Sequence, residues 1–419
     1  MKSALLQVNS IVFAALLTVV LVACSHTTAG QAAHAPESPP NSSAPVQTSR
    51  LDPGNYPTAP QPALGNAGSE QAGRLVEGRR MAAYVVGPWQ TDPTLVGAVS
   101  AGAAIIDEAH GLGRAAWPPI AGGAYNLPLV VGFVTERQSP GPNPQMSLRN
   151  TVLRFTNSSV ASQAAQNMTT AARNMPRIPS ATPIVTEPES PLPIPGHPET
   201  GGTVLTFQEG TQIVRELTAI TGHGPYVLVQ VVRCAAGPDC EAQLAGHTLD
   251  RQVPLIDTFV PSDPVEFPTL ALDPTGLVAR TLPPPAGQAT SMSGAAYPPA
   301  AALQLEDDPV QAGPLLSAAG VDYVSVNLTT VYQTKDLSAA RSLAEAYSDF
   351  AAKTAAAQTA SPVSGLPESR CTRVAGSNGL VPRYWCLAAA GRYTIKTIAR
   401  QLDNAQQQTA AQYLILTGR

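Results

Sequence analysis

The sequence predicts an α+β protein of two related layers. Each is an antiparallel sheet with helices on one face, resembling a ferredoxin-like fold. Three observations lead there. Of 419 residues 44% are hydrophobic and only 13% charged, against a usual ~25% charged, so core-forming material is ample. Short alternating stretches sit beside stretches with apolar residues at helical spacing. Two blocks also match in spacing: Gly224-Pro-Tyr226 through Arg233, and Gly391-Arg-Tyr393 through Arg400, each filled with β-type residues.

The duplication orders the elements. Thr151–Phe155 reads as a strand, and Ser158 and Ser159 as an N-cap for a helix running to Asn174, with Val160, Ala164, Met168 and Ala171 on one face. In the second half Val324–Leu328 alternates with period two. Asp336 then caps a helix carrying Leu337, Ala340, Leu343, Tyr347 and Phe350. Each matching block precedes a helical segment, Cys240–Arg251 and Asn404–Leu416. Each half therefore reads strand–helix–strand–strand–helix, with room for one more strand. A period near 170 residues is a domain duplication rather than a solenoid. The Pro-rich stretch from Val260 to Pro264 divides an N-terminal domain, 51–262, from a C-terminal one, 263–419. Ahead of the first repeat, Asp92-Pro93 predicts a cap for a helix with Leu95, Val96, Val99, Ala103 and Ile106 as its stripe, ended by Gly111 and Gly113.

The leader predicts the compartment. Lys2 precedes an apolar run from Ile11 to Val22, interrupted only by Thr18. That is an export signal, too short for the ~20 residues of a spanning helix. Leu21-Val22-Ala23-Cys24 resembles the lipobox of bacterial lipoproteins. The resemblance implies a signal peptide over 1–23 and acylation of Cys24 by fatty chains such as palmitate. More than one chain is needed for stable anchoring. The expected location is the extracytoplasmic face of the cell membrane. Residues 24–50, rich in Ser, Pro and Ala, form a flexible spacer.

Four cysteines remain, as the local pairs Cys234/Cys240 and Cys371/Cys386. An exported chain meets oxidising conditions, and closeness in sequence favours local pairing among the alternatives. The second pair flanks a turn, Gly376–Gly379, and predicts a stapled hairpin. A metal site is disfavoured, because Cys-x-x-Cys is missing and His247 is the one nearby histidine.

Composition and motifs exclude several functions. Twenty-five basic against twenty-nine acidic residues give a net charge of −4, with lysine only at 2, 335, 353 and 396. Neither a nucleic-acid partner nor a polybasic lipid patch is expected. Asp107-Glu-Ala-His110 spells a helicase box, but the Gly-Lys pair of a phosphate loop is missing, so no nucleotide is expected. The box then reads as the polar end of the helix begun at Asp92. No Gly-x-Ser-x-Gly or His-Glu-x-x-His occurs. His197 and His223 read as solvated loop residues, and Glu306-Asp307-Asp308 as a solvated acidic turn. No cofactor or metal is expected. Tyr84, Trp89, Trp117 and Tyr125 cluster within one Gly- and Pro-containing stretch. They predict either packing of the extra segment onto the sheet or an amphipathic aromatic groove for a glycan, peptide or lipid.

Leu51-Asp-Pro-Gly-Asn-Tyr-Pro-Thr58, then Glu77 through Trp89, then Asp92-Pro93, resembles an uncharacterised actinobacterial lipoprotein family. The resemblance implies surface anchoring and a two-part fold, and transfers no catalytic residue. The expectation is a lipid-anchored envelope protein that binds a ligand or protein partner rather than an enzyme. The alternatives are an envelope hydrolase or transferase with a dispersed active site, and a structural or secretion-associated component.

Overall fold

A computed structural model describes residues 45–177, 183–285, 287–354, 356–375 and 381–418. The leader, Cys24, most of the spacer and the Gly376–Gly379 turn lie outside the described residues.

In chain order the first half comprises α1 (Glu70–Met81), α2 (Pro88–Thr91), β1 (Gly97–Ile106), α3 (Pro118–Ala121), β2 (Leu129–Gln138), β3 (Met146–Phe155), α4 (Ser158–Ala172), β4 (Ile184–Val185), β5 (Ser190–Pro191), β6 (Gly201–Glu209), β7 (Gln212–His223), β8 (Tyr226–Cys234) and α5 (Pro238–Asp257). The second half comprises β9 (Ala295–Tyr297), α6 (Pro299–Ala302), α7 (Pro309–Ala318), β10 (Tyr323–Val326), β11 (Thr329–Gln333), α8 (Leu337–Ala352), β12 (Gln358–Ala360), β13 (Arg370–Val374), β14 (Arg383–Ala390), β15 (Tyr393–Ala399) and α9 (Leu402–Thr417). Among the described residues the first sheet runs β1-β2-β3-β8-β7-β6-β4, with β5 also on β6, and the second β12-β13-β14-β15-β11-β10-β9. Every pairing is antiparallel.

The second sheet, taken in reverse, repeats the first strand for strand. Helices α4 and α8 follow equivalent strands β3 and β11, and α5 and α9 follow β8 and β15. The repeat extends to register. His223 pairs with Tyr226 across a turn led by Gly224, and Ala390 with Tyr393 across one led by Gly391. Both glycines hold positive φ, 52° and 57°, which a two-residue hairpin turn requires. Asp336 caps α8 by accepting from Ala339 N at 2.8 Å, and Asn157, not Ser158 or Ser159, caps α4 through Val160 N.

Three expectations change. Residues 324–326 belong to β10, the counterpart of β2 in the repeat, and the strand leading into α8 is β11. The segment after Asp92 is not a helix. It is strand β1, which supplies the backbone partner that β2 needs, with an irregularity between Ala98 and Ala103. The helicase-box letters therefore follow a strand and enter a 3-10 turn, and Asp92 ends α2. Finally, the helices do not share one face. Leu228 and Val232 of β8 pack with Leu244, Leu249 and Ile256 of α5. Val227, Val229 and Val231 pack with Ala161, Ala164 and Met168 of α4. In the second half α8 packs with Trp385 and Leu387, and α9 with Cys386 and Ala388. Each sheet is thus covered on both faces, so the ferredoxin-like layering does not apply.

The α5 face of the first sheet and the α8 face of the second share one apolar cluster, which runs from Phe133 and Leu148 through Met81, Tyr297 and Ala302 to Tyr332 and Tyr347. Helix α1 sits close enough that a Cβ on Gly78 would stand 2.5 Å from Ile105 Cγ2. Its fully buried Glu77 accepts from Arg154 Nη1 at 3.1 Å and Ser262 N at 2.8 Å, which fixes the Pro-rich connection to the first sheet. Two guanidinium groups join the halves through carbonyl oxygens. Arg137 donates to Val96, Gln304, Glu306 and Asp307, at 3.0, 3.2, 2.6 and 3.2 Å. Arg79 donates to Ser291 and Ser293 at 3.0 and 2.7 Å. Burial pulls both guanidinium groups below their ordinary pKa. The early segment lies on the second sheet: Leu51 packs beside the α9 core, and Tyr56 Oη accepts from Gln408.

Candidate functional site

A polar cleft opens on the α4 face of the first sheet, with the connection between β1 and β2 along one side. Its volume is about 470 Å³. Cross-strand pairing places the floor residues in two rows. Glu136, Arg149 and Val231 stand side by side, and Gln138, Ser147 and Arg233 beside them. Because side chains alternate along a strand, all six share one face.

Trp117 forms the wall. Two prolines follow it, so its backbone is extended (φ −53°, ψ 145°) while Pro118 opens α3. The segment is pressed against α4, where a Cβ on Gly123 would stand 2.7 Å from Asn167 C. The indole Nε1 donates to Glu216 Oε1 at 2.7 Å. Arg233 Nε donates to Glu216 Oε2 at 2.8 Å, and its Nη1 to Glu209 Oε2 at 2.9 Å. Phe207 backs this chain, edge-on to Trp117 with centroids 5.4 Å apart and beneath Arg233 at 5.5 Å. Burial works against the Arg233 charge, but Glu216 and Glu209 outweigh it and hold its pKa above the ordinary value. On the far side Arg149 Nε and Nη2 both meet Glu136 Oε2, at 2.9 and 2.8 Å. The cleft is an arrangement of paired charges around a hydrogen-bonded indole. It can recognise shape and hydroxyl or amide groups.

The four aromatic candidates do not line one groove. Tyr84 packs on Phe259, with centroids 5.0 Å apart, beside the shared core on the α5 side. Trp89, 8% exposed, lies under Arg137 at 5.7 Å. Trp117 packs with the cluster on the opposite side, and Tyr125 is 39% exposed. Only Trp117 lines the cleft. The cysteines form two disulfides, Cys234–Cys240 and Cys371–Cys386, the second joining directly opposed residues of β13 and β14. Neither histidine expected in a loop is free: His223 Nε2 lies 2.6 Å from Asp257 Oδ1, and His197 Nε2 lies 3.0 Å from Asp250 Oδ1. Among the described residues no group of three His, Cys, Asp or Glu is placed to hold a metal.

Sequence reasoning missed Glu136, Arg149, Glu216 and Arg233. Their signal was a charge interrupting an otherwise apolar strand, with opposite signs meeting across neighbouring strands. It also read Glu306-Asp307-Asp308 as solvated. Glu306 is buried, with Lys396 Nζ 2.9 Å from Oε2 and Tyr332 Oη donating to Oε1 at 2.7 Å. Asp308 caps α7. Lys396 also faces the rings of Tyr347, Tyr332 and Trp385 at 4.9, 5.4 and 5.6 Å.

This buried cluster lies on the corresponding face of the second sheet, one same-face step from the counterparts of the cleft floor: Glu216, Val231 and Arg233 correspond to Arg383, Ile398 and Arg400. Lys396 stands three residues after Tyr393, where the first sheet has Val229 after Tyr226. Trp385 stands where the first has Thr218. The connection from β9 to β10 delivers Glu306 onto them and leaves only about 10 Å³.

Among known proteins, residues 64–272 match "Domain of unknown function (DUF7373) N-terminal" and residues 277–419 match "Domain of unknown function (DUF7373) C-terminal". No curated protein matches the chain. The solved extracellular domain of PknH from Mycobacterium tuberculosis aligns at 13% identity over 42% of this chain and 95% of its own, with a TM-score of 0.29, too low to carry an argument about fold or function. The two matches together span most of the sequence, and the chain belongs to the DUF7373 family of unknown function.

Proposed function

We propose that the protein is a lipid-anchored, extracytoplasmic binding protein. It is tethered to the cell membrane through acylated Cys24 and holds a ligand in the Trp117 cleft. The observation that carries the binding role is the Trp117–Glu216–Arg233 chain. Both Glu216 oxygens are engaged, by Trp117 and by Arg233. A carboxylate held in this way favours recognition over proton transfer. The two disulfides support an oxidising compartment. The apolar run ending at Leu21-Val22-Ala23-Cys24 supports the tether. No helix among the described residues is long and apolar enough to cross a membrane.

Two measurements test this. Cys24→Ala should move the full-length protein out of the membrane fraction; unchanged membrane retention removes the tether. Hydroxyl-radical footprinting should find Trp117 protected in intact envelopes and reactive after purification. Equal reactivity in both preparations removes the ligand from the cleft.

A further inference from the structure

Resting on the cleft as a ligand site, we propose that it takes a neutral saccharide ring, one per chain. The floor belongs to β2, β3, β8 and β7, each with a strand on both sides. Their backbone groups are already paired, so an extended peptide cannot dock there by adding a strand. An ionic ligand would compete with charges that are already paired: Glu136 is held by Arg149, and Glu216 and Glu209 by Arg233. Parting a charge pair leaves both members in need of new partners.

Hydroxyl groups need no such exchange. Glu136 Oε1 and Arg149 Nη1 keep free capacity, because Arg149 spends Nε and Nη2 on the single oxygen Oε2. The Gln138 amide and the Ser147 hydroxyl line the same floor and make no side-chain hydrogen bond among the described residues. The site thus offers a carboxylate oxygen, a guanidinium N–H, an amide and a hydroxyl beside a fixed indole. A sugar ring has matching chemistry, with hydroxyls at its rim that both donate and accept and C–H groups on its face that pack on an aromatic ring. The volume, about 470 Å³, lies within the ~300–1,000 Å³ range of small-molecule sites. In the second sheet the counterparts of Glu216, Val231 and Arg233 are Arg383, Ile398 and Arg400, which lack the carboxylate that holds Trp117, so one ring per chain is expected.

The ring could be a free sugar or the end of an envelope polysaccharide, and the test separates these. Full-length protein in a detergent without a sugar headgroup is titrated with glucose, galactose, mannose, arabinose, N-acetylglucosamine, maltose and lactose. A parallel arm uses polysaccharide isolated from the host envelope. Calorimetry and tryptophan fluorescence report binding. At least one arm should give one-to-one binding. Trp117→Ala should weaken it about tenfold or more. Gln138→Ala, which breaks no side-chain hydrogen bond among the described residues, should weaken it several-fold, and Trp89→Phe should leave it unchanged. The arm that binds identifies the source. No binding in either arm overturns the proposal, as does binding that both cleft variants leave intact. Protection of Trp117 in envelopes without sugar binding would overturn the saccharide alone and leave the ligand site standing.

Discussion

Glu241 lies fully buried at the start of α5, with Oε2 3.3 Å from Arg215 Nε and Oε1 without a partner among the described residues. Burial pushes its carboxyl pKa above the ordinary value, and Arg215 offsets only part of that. The folded state therefore holds this proton more tightly than the unfolded chain. Ionisation at neutral pH costs stability, and that cost disappears as pH falls below the unfolded value of about 4.5. Glu241→Gln keeps the shape and removes the charge. It should melt at a higher temperature than the parent at pH 7, and the difference should close below pH 4.5. A variant that melts lower at pH 7 would show that the attraction of Arg215 outweighs burial. Glu306 illustrates how little of such a setting can be read locally. An acidic run before a proline has the composition of a solvated turn, and its partner Lys396 is 90 residues away. Trp117 was visible as a candidate because of its type. Its carboxylate partner was not, since 99 residues separate them.

At the scale of elements, the cysteine spacing was the clearest signal. The Cys371–Cys386 bridge closes a 15-residue separation and Cys234–Cys240 closes 6. Chain-entropy arguments assign about 3 and about 2 kcal/mol to loops of these sizes. Replacing Cys371 and Cys386 together by Ser should therefore lower the denaturation midpoint more than the same change at Cys234 and Cys240. The reverse order would place native-state packing above loop closure. Capped helices were legible because the cap is local: Asp336 and the α8 stripe needed no distant partner. Strand β1 was not, because Val96, Val99, Ala103 and Ile106 also fit helical spacing, and the waiting edge of β2 decides between the two. The face of each helix had a signal in the strands that the expectation of one covered face did not use. The apolar run around Gln230 in β8 leaves no polar side, and a strand of that kind is covered on both faces.

Across the whole molecule the two halves share a core and a pair of guanidinium clamps, so the repeat is not two independent domains. Arg137→Ala would leave four carbonyl oxygens short of a donor and Trp89 without its cation. Calorimetry should show a loss on the order of 3 kcal/mol, with the two halves beginning to melt separately. An unchanged single transition would assign the joining to the apolar cluster alone. The sequence by itself determined the repeat, the secondary-structure class, the cysteine pairs and the family resemblance. These depend on residue type and short spacing, which survive without knowledge of the fold. Only the tertiary structure decided which face each helix covers, that Trp117 stands apart from Tyr84 and Trp89, and that Glu306 is buried against Lys396. Those outcomes depend on contacts between residues far apart in the chain, where the burial of a charge or a ring is settled by whatever segment the fold lays over it.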